Sequence, residues 1–249
     1  MNQFLDLTDE KLVIFQSWSK HMVRYGLKAK IGRAWSSSKG GIAYQIGCFL
    51  FLAGEVDDRL LPSQLAYLIL ISEQENWQAY LKEQNQFIGF TRYAFDLPNQ
   101  QTLNTCQSIV NNLSGNYQIE SLSAPSFIEC QKQEWSADLQ GVFTSFSDFK
   151  KQGALGFVIY KDRQLVGGVS SAFVYQQALE VEIAVHPEFQ RQGLAKILGA
   201  KLIIEGFKKG RLPLWDAHNL ASYKVAIALG YRCLESYSAF EISTTADRG

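Results

Sequence analysis

The residues best suited to chemistry are two glutamates, Glu180 and Glu182, in the run Leu179-Glu180-Val181-Glu182-Ile183-Ala184-Val185. Apolar and charged residues alternate there with the period of a strand, so both carboxylates belong to one face. Such a pair can draw a proton from a nucleophile through water and can attract a cationic substrate. The same alternation also suits a plain solvated strand face. The run passes through His186-Pro187-Glu188-Phe189 into Gln190-Arg191-Gln192-Gly193-Leu194-Ala195, where a helical pattern begins. A strand, a tight turn and a helix start make an anion site: the first amides of a helix lack intrahelical acceptors and sit at the positive end of its dipole. Small residues at Gly193 and Ala195 leave those amides open to phosphate oxygens.

Gln190, Gly193 and Ala195 fit the pattern Q/R-x-x-G-x-G/A, and further on the chain reads Trp215-Asp216-Ala217-His218-Asn219-Leu220-Ala221-Ser222, then Ala228-Leu229-Gly230-Tyr231. The first pattern resembles motif A of the GNAT superfamily of acyl-CoA-dependent N-acyltransferases, and the second resembles its motif B, N-x-x-A/S…L-G-F/Y. The likeness follows the order of elements from about Tyr117 to Ile242, about half the chain. The phrases from Phe149 to Gly156 and from Trp215 to Ser222 are most similar to the zwittermicin A resistance-type acetyltransferases, whose N-terminal portion is a separate α/β domain.

The resemblance implies an α/β (α+β) fold with a central mixed, splayed sheet, preceded by a smaller α/β domain. It implies that strand 179–185 parts from strand 212–216 and that the pantetheine arm of acetyl-CoA lies in the gap, pairing with backbone groups at Ala184 and Val185. Gln190, Arg191, Gln192, Gly193, Leu194 and Ala195 would hold the pyrophosphate. Asn219 would hydrogen-bond the arm with Ser222 one turn on, although Asn at a helix entrance is equally a plain N-cap. Acetyl-CoA is thus implied as cosubstrate, with no metal. In the reaction a neutral amine of a small molecule attacks the thioester directly, with Glu182 the first choice of base and Glu180 the second. Family members place a tyrosine seven residues after the motif B asparagine, a position that is Ala226 here. Tyr223, one turn earlier, is a candidate to protonate the thiolate, beside Ser222, His218 and water. A non-catalytic acyl-CoA-binding sensor is the alternative that Ala226 supports.

These residues must be held by elements the pattern also predicts. Leu12, Phe15, Trp18, Met22 and Tyr25 recur at helical spacing from Thr8 onward. Ser36 to Gly41 reads as a solvated linker, Cys48 to Ala53 as a buried strand, Gln74 to Lys82 as a helix, Phe87 to Phe95 as a strand and Leu103 to Leu113 as a helix. The turn formers Asn111-Asn112 and Ser114-Gly115-Asn116 mark a boundary, dividing the chain into domains 1–116 and 117–249. The first domain is expected to help shape the acceptor site. Beyond Tyr117 come a strand to Leu122, helices between Pro125 and Lys151, a hairpin of Gly156–Tyr160 and Leu165–Tyr175, the glutamate strand, a helix from Gly193 to Lys209, a short strand Leu212–Asp216, a helix Asn219–Leu229 and a last strand from Arg232 to Ile242.

Lys plus Arg equals Asp plus Glu at 24 each, so no overall field recruits nucleic acid or anionic lipid. That neutrality argues against a third reading, aminoacyl transfer from charged tRNA by a double-domain relative of this fold. Cys48, Cys106, Cys130 and Cys233 form no CxxC pair and the three histidines no HExxH spacing, so neither a metal site nor a disulfide framework is expected. Cys233 reads as a buried inert thiol, His186 as structural and Tyr231 as packing. The N-terminus carries no basic and apolar leader and no run spans a membrane, so the expected location is cytoplasmic. Oligomeric state and the identity of the amine are not legible.

Overall fold

The computed structural model describes residues 2–63, 67–110 and 116–242. By their contacts these gather into two compact units, Met1–Arg92 with Ser236–Gly249, and Tyr93–Glu235. The turn formers at 111–115 lie outside the described residues, so the boundary read at 116 has no described structure there.

In the first unit the chain forms β1 (Gln3–Leu5), α1 (His21–Ala29), β2 (Arg33–Ser36), β3 (Gly41–Ile46), β4 (Phe49–Gly54), β5 (Ile69–Ile71), α2 (Glu75–Glu83) and most of β6 (Phe87–Phe95), which from Tyr93 on belongs to the second unit. Strands β1 to β4 pair antiparallel in sequence order, and β5 joins β4 in parallel. The last strand of the chain returns beside β5, with Ala239 opposite Ile71. The helix expected from Thr8 to Tyr25 is two pieces, a 3-10 turn at Glu10–Phe15 and then α1. Ser19 holds the join out of helix, its amide and hydroxyl both donating to Glu73 Oε1 at 2.9 and 3.0 Å. Ser37 to Gly40 is the turn of a β2–β3 hairpin, not a linker. The Ser37 amide reaches the Gly41 carbonyl at 2.9 Å, and Gly40 takes a φ of 93° that favours glycine.

The second unit comprises α3 (Gln100–Val110), β7 (Tyr117–Ser121), α4 (Ala124–Gln131), a 3-10 turn at Glu134–Gln140, α5 (Phe146–Lys151), β8 (Gly156–Lys161), β9 (Gln164–Val174), β10 (Ala178–Val185), α6 (Leu194–Lys208), β11 (Leu212–Leu214), β12 (Asp216–Ala217), α7 (Leu220–Ala228) and the first residues of β13 (Cys233–Ile242), which from Ser236 on belongs to the first unit. Its sheet has the order β11-β10-β9-β8-β7, antiparallel except for the parallel β10–β11 pair. The α/β class with a mixed, splayed sheet is as the sequence predicts. Helix α3 belongs to this unit because Cys106 packs with Ala200, Ile203 and Trp215.

Each face of the five-stranded sheet has its own core. On one, Leu194, Leu198 and Leu202, spaced by one helical turn along α6, pack on Ile159, Val166 and Leu179. On the other, Phe127, Phe143 and Phe149 from the helical segment pack with Leu139 and Val158. Each such buried ring stabilises the fold by roughly 1.5–3 kcal/mol. No helix among the described residues is long and apolar enough to cross a membrane.

Candidate active site

Strands β10 and β11 run together for only three pairs, Ala178 with Leu212, Leu179 with Pro213 and Glu180 with Leu214. Beyond them the chain leaves β10 altogether, and β12 pairs instead with the end of β6, Asp216 opposite Ala94. On the other side of β10 the register shifts at the same point: Glu180 faces Phe173 and Val181 faces Ser171, leaving Ala172 bulged out of β9. A bulge adds local twist and bend, which turns β10 away just where its parallel neighbour stops. The bulge is itself held, since the Ala172 carbonyl accepts the Val142 amide at 3.1 Å.

Alternation decides which backbone groups face the gap. The Gln177 carbonyl accepts the Leu212 amide at 2.9 Å, and the His186 amide donates to Val166 of β9 at 3.0 Å. Odd-numbered residues of β10 therefore turn toward the β11 side, which past Glu180 is the gap, and even-numbered ones turn toward β9. Val181, Ile183 and Val185 thus present amides and carbonyls to the gap, whereas Ala184 is turned to Gly168. Of the expected pair Ala184 and Val185, only Val185 offers its backbone there, and its carbonyl accepts Gln190 Nε2 at 3.2 Å. The Ile183 amide donates to the carboxylate of Glu182 at 3.2 Å. Val181 and Ile183 are the gap residues that the motif pattern omits, although counting back in twos from Val185 would find them.

Past His186 the chain makes a compact exposed turn. His186 Nδ1 accepts the Glu188 amide at 3.3 Å, and its ring meets Trp135 and Phe189 edge-on at 5.5 and 5.7 Å, a structural role as expected. Gln192 Oε1 accepts the hydroxyl of Tyr117 at 2.7 Å, and Gln192 Nε2 donates to the Glu188 carbonyl at 3.4 Å. Arg191 and Gly193 both take positive φ, 61° and 82°. Gly193 is the N-cap of α6 and supplies no side-chain acceptor. The amides of Leu194, Ala195 and Lys196 thus have no partner within the helix, and a Cβ added at Gly193 would meet no atom within 4 Å. Gln190 to Gly193 are exposed, Leu194 is buried and anchors the helix, and Ala195 is half-buried. Lys161 lies 5.4 Å from the Phe189 ring and 5.6 Å from the Tyr117 ring, adding positive charge beside the turn.

The two glutamates occupy different environments on one strand. Val181 and Ile183 pack toward α6 while Ala184 packs with the opposite cluster, so Glu180 and Glu182 share the face of Ala184. Glu180, 5% exposed, sits where the strands part and accepts the hydroxyl of buried Tyr175 at 3.3 Å. Glu182 is half-buried beyond the parting, opposite Ser170.

At the start of α7, Asn219 Oδ1 accepts the Ser222 amide at 2.9 Å, so Asn219 is an N-cap and its side-chain amide retains N–H donors. Ser222 Oγ accepts Trp215 Nε1 at 3.1 Å. Tyr223 lays its ring 4.8 Å from Tyr93 and 5.6 Å from Phe95. Ala226 is fully buried in the same cluster, a place in which a tyrosine ring would collide. Tyr231 is buried and donates to the Pro213 carbonyl at 2.8 Å, while His218 is exposed. Cys233 is half-buried, not buried as expected, and this partial burial raises its thiol above the ordinary pKa, which suits an unreactive group. Among the described residues no group of three His, Cys, Asp or Glu could hold a metal ion.

The arrangement therefore joins an open helix start, a stretch of unpaired strand edge and a half-buried carboxylate just beyond the parting. The GNAT acetyltransferase family model matches residues 12–240. No curated protein matches the sequence. Among solved structures, the chain is similar to a GCN5-related N-acetyltransferase-like protein from Streptococcus suis, 27% identical with a TM-score of 0.83, covering 94% of this chain and 99% of that one. A Drosophila protein is 12% identical with a TM-score of 0.62, covering 97% and 98%. A GCN5-related N-acetyltransferase from Kribbella flavida is 14% identical with a TM-score of 0.54, covering 96% and 99%. The last two share the fold alone. With the family match running over nearly all of its length, the chain belongs to the GNAT acetyltransferase family.

Proposed function

We propose that this protein transfers the acetyl group of acetyl-CoA to a primary amine of a small molecule, by direct attack, in the manner of the zwittermicin A resistance-type enzymes. The observation that carries the reading is the uncapped, exposed start of α6 beside the unpaired edge of β10. The open space over Gly193 fits a diphosphate: its oxygens would take the amides of Leu194, Ala195 and Lys196. Gln190, Arg191 and Gln192 frame that turn. The Ile183 carbonyl, the Val185 amide and the donor of Asn219 offer partners to an extended amide-bearing arm.

Acetyl-CoA, when bound, supplies the acetyl group as a thioester. Glu182 takes the proton that the attacking amine loses, through a water, and its charge draws the cationic form of the amine to the cleft. Glu180, buried against Tyr175, keeps the floor polar rather than exchanging protons with solvent. Tyr223 returns a proton to the leaving sulfur. Location in the cytoplasm, and use of no metal, nucleic acid or membrane, are part of this proposal.

Isothermal titration with acetyl-CoA, followed by thiol release with a panel of amines, tests the reading. Binding with turnover on at least one amine supports it. Binding without turnover would make the protein an acyl-CoA sensor, and absence of binding would remove the proposal.

A further inference from the structure

The two units repeat one another. In the first, β1, β2, β3 and β4 pair antiparallel in order and β5 joins β4 in parallel. In the second, β7, β8, β9 and β10 pair antiparallel in order and β11 joins β10 in parallel. In both, helical segments separate the first two strands, a crossover leads to the parallel strand, and a helix follows it, α2 and α7 respectively. Each parallel pairing lasts three residues, Phe49–Phe51 with Ile69–Ile71 and Ala178–Glu180 with Leu212–Leu214.

Hydrogen bonds set the two copies in register. The Cys48 carbonyl accepts the Ile69 amide at 2.7 Å, and the Gln177 carbonyl accepts the Leu212 amide at 2.9 Å. Six residues on from these carbonyls stand Gly54 and Ile183, so Gly54 holds on the edge of β4 the place that Ile183 holds on the edge of β10. The two edges differ in what meets them. The Gly54 amide donates to Gln74 Oε1 at 2.7 Å, and the Gly54 carbonyl accepts Asn76 Nδ2 at 3.0 Å. Gln74 is the N-cap residue of α2, as Asn219 is of α7, yet it makes no cap bond and spends its side chain on the strand edge.

The crossovers differ as well. Between β10 and β11 lies α6, fifteen residues long with an open start. Between β4 and β5 the described residues form only a 3-10 turn at Asp58–Leu60. Its cap is Asp57, 1% exposed and bonded to Arg59 at 2.6 Å, and Asp58 adds a further negative charge. A diphosphate would find there neither a row of helix amides nor a positive field.

We infer that the N-terminal unit is a second copy of the acetyltransferase fold whose cofactor cleft is filled by Gln74 and Asn76 and whose phosphate-binding helix has been replaced by an acidic turn. The chain then carries one acyl-CoA site, not two. The stoichiometry rests on the proposed acetyl-CoA binding; the filled cleft does not.

Two measurements on the full chain test it. Titration with acetyl-CoA should give one site per chain, lost entirely in Gly193→Trp; two sites, or binding that survives Gly193→Trp, would overturn the inference. Amide hydrogen exchange tests the filled cleft directly. The Gly54 amide should be protected in the native protein and exchange about tenfold faster in Gln74→Ala, the loss of one hydrogen bond. Fast exchange at Gly54 in the unaltered protein would overturn the inference even if acetyl-CoA never bound, whereas protection with no acetyl-CoA binding would sink only the proposed activity.

Discussion

Gly141 lies against the bulge that opens the cleft: a Cβ added to it would stand 2.5 Å from the carbonyl oxygen of Ala172. With a φ of 60°, Gly141 also occupies backbone space that other residues enter only with strain. The glycine lets the chain after the 3-10 turn approach β9 closely enough for Val142 to bond the bulged carbonyl.

Gly141→Ala should therefore cost about 1–3 kcal/mol of stability through strain and the displaced contact. Because the bulge marks where β10 parts from β11, transfer should fall by more than the change in folded fraction accounts for. Denaturant melts alongside kcat would show it. An alanine variant as stable and active as the parent would mean that the close approach is not needed.

Glu182→Gln keeps the size of the side chain and an oxygen able to accept the Ile183 amide. It should leave acetyl-CoA affinity within about twofold of the parent while slowing transfer by roughly 100- to 10,000-fold, the usual worth of a positioned base. Turnover at the parental rate would remove Glu182 from the chemistry.

Much of this site is legible in the residues themselves. Glu180 and Glu182 alternate with apolar residues, and the turn through Gly193 combines a helix start with small side chains; both signals are local, as strand and helix periodicities are. What is not legible depends on residues distant along the chain. The bulge at Ala172 is set by Val142, some thirty residues earlier. The strands β1, β2 and β5 are short, and Arg33–Ser36 is too brief to show a period. The repeat is hidden in the sequence because it is carried by pairing order and not by residue type: Gly54 and Ile183 share a place but no chemistry.

Tyr223→Phe preserves the ring contacts with Tyr93 and Phe95 and removes only the hydroxyl. Stability should change by less than about 1 kcal/mol. If the phenol protonates the leaving sulfur, kcat should fall at least tenfold with KM for acetyl-CoA nearly unchanged. An unaltered kcat would leave Tyr223 as packing alone.

Stability should decline in alkali for an identifiable reason. Tyr231 is fully enclosed, donates its hydroxyl to Pro213, and is held by burial well above the ordinary tyrosine pKa, with Cys106 and Glu180 adding to the shift. Tyr44, which donates to the Ile31 carbonyl, is raised by burial, and Tyr160, bonded to Glu129, is raised first by burial and then by that carboxylate. In the unfolded chain each ionises near pH 10. Above that pH the unfolded state holds fewer protons than the native one, so the contribution is complete below pH ~10 and is lost as pH rises toward the folded values. Once Tyr231 is ionised in the unfolded chain, it alone should add a fall of about 1.4 kcal/mol per pH unit. Urea melts between pH 8 and 11 would show a downward slope that is shallower in Tyr231→Phe, even though that variant starts lower for lack of the Pro213 bond. Identical slopes in the two proteins would show that Tyr231 ionises as readily folded as unfolded, and would contradict its enclosure beneath the start of the cleft.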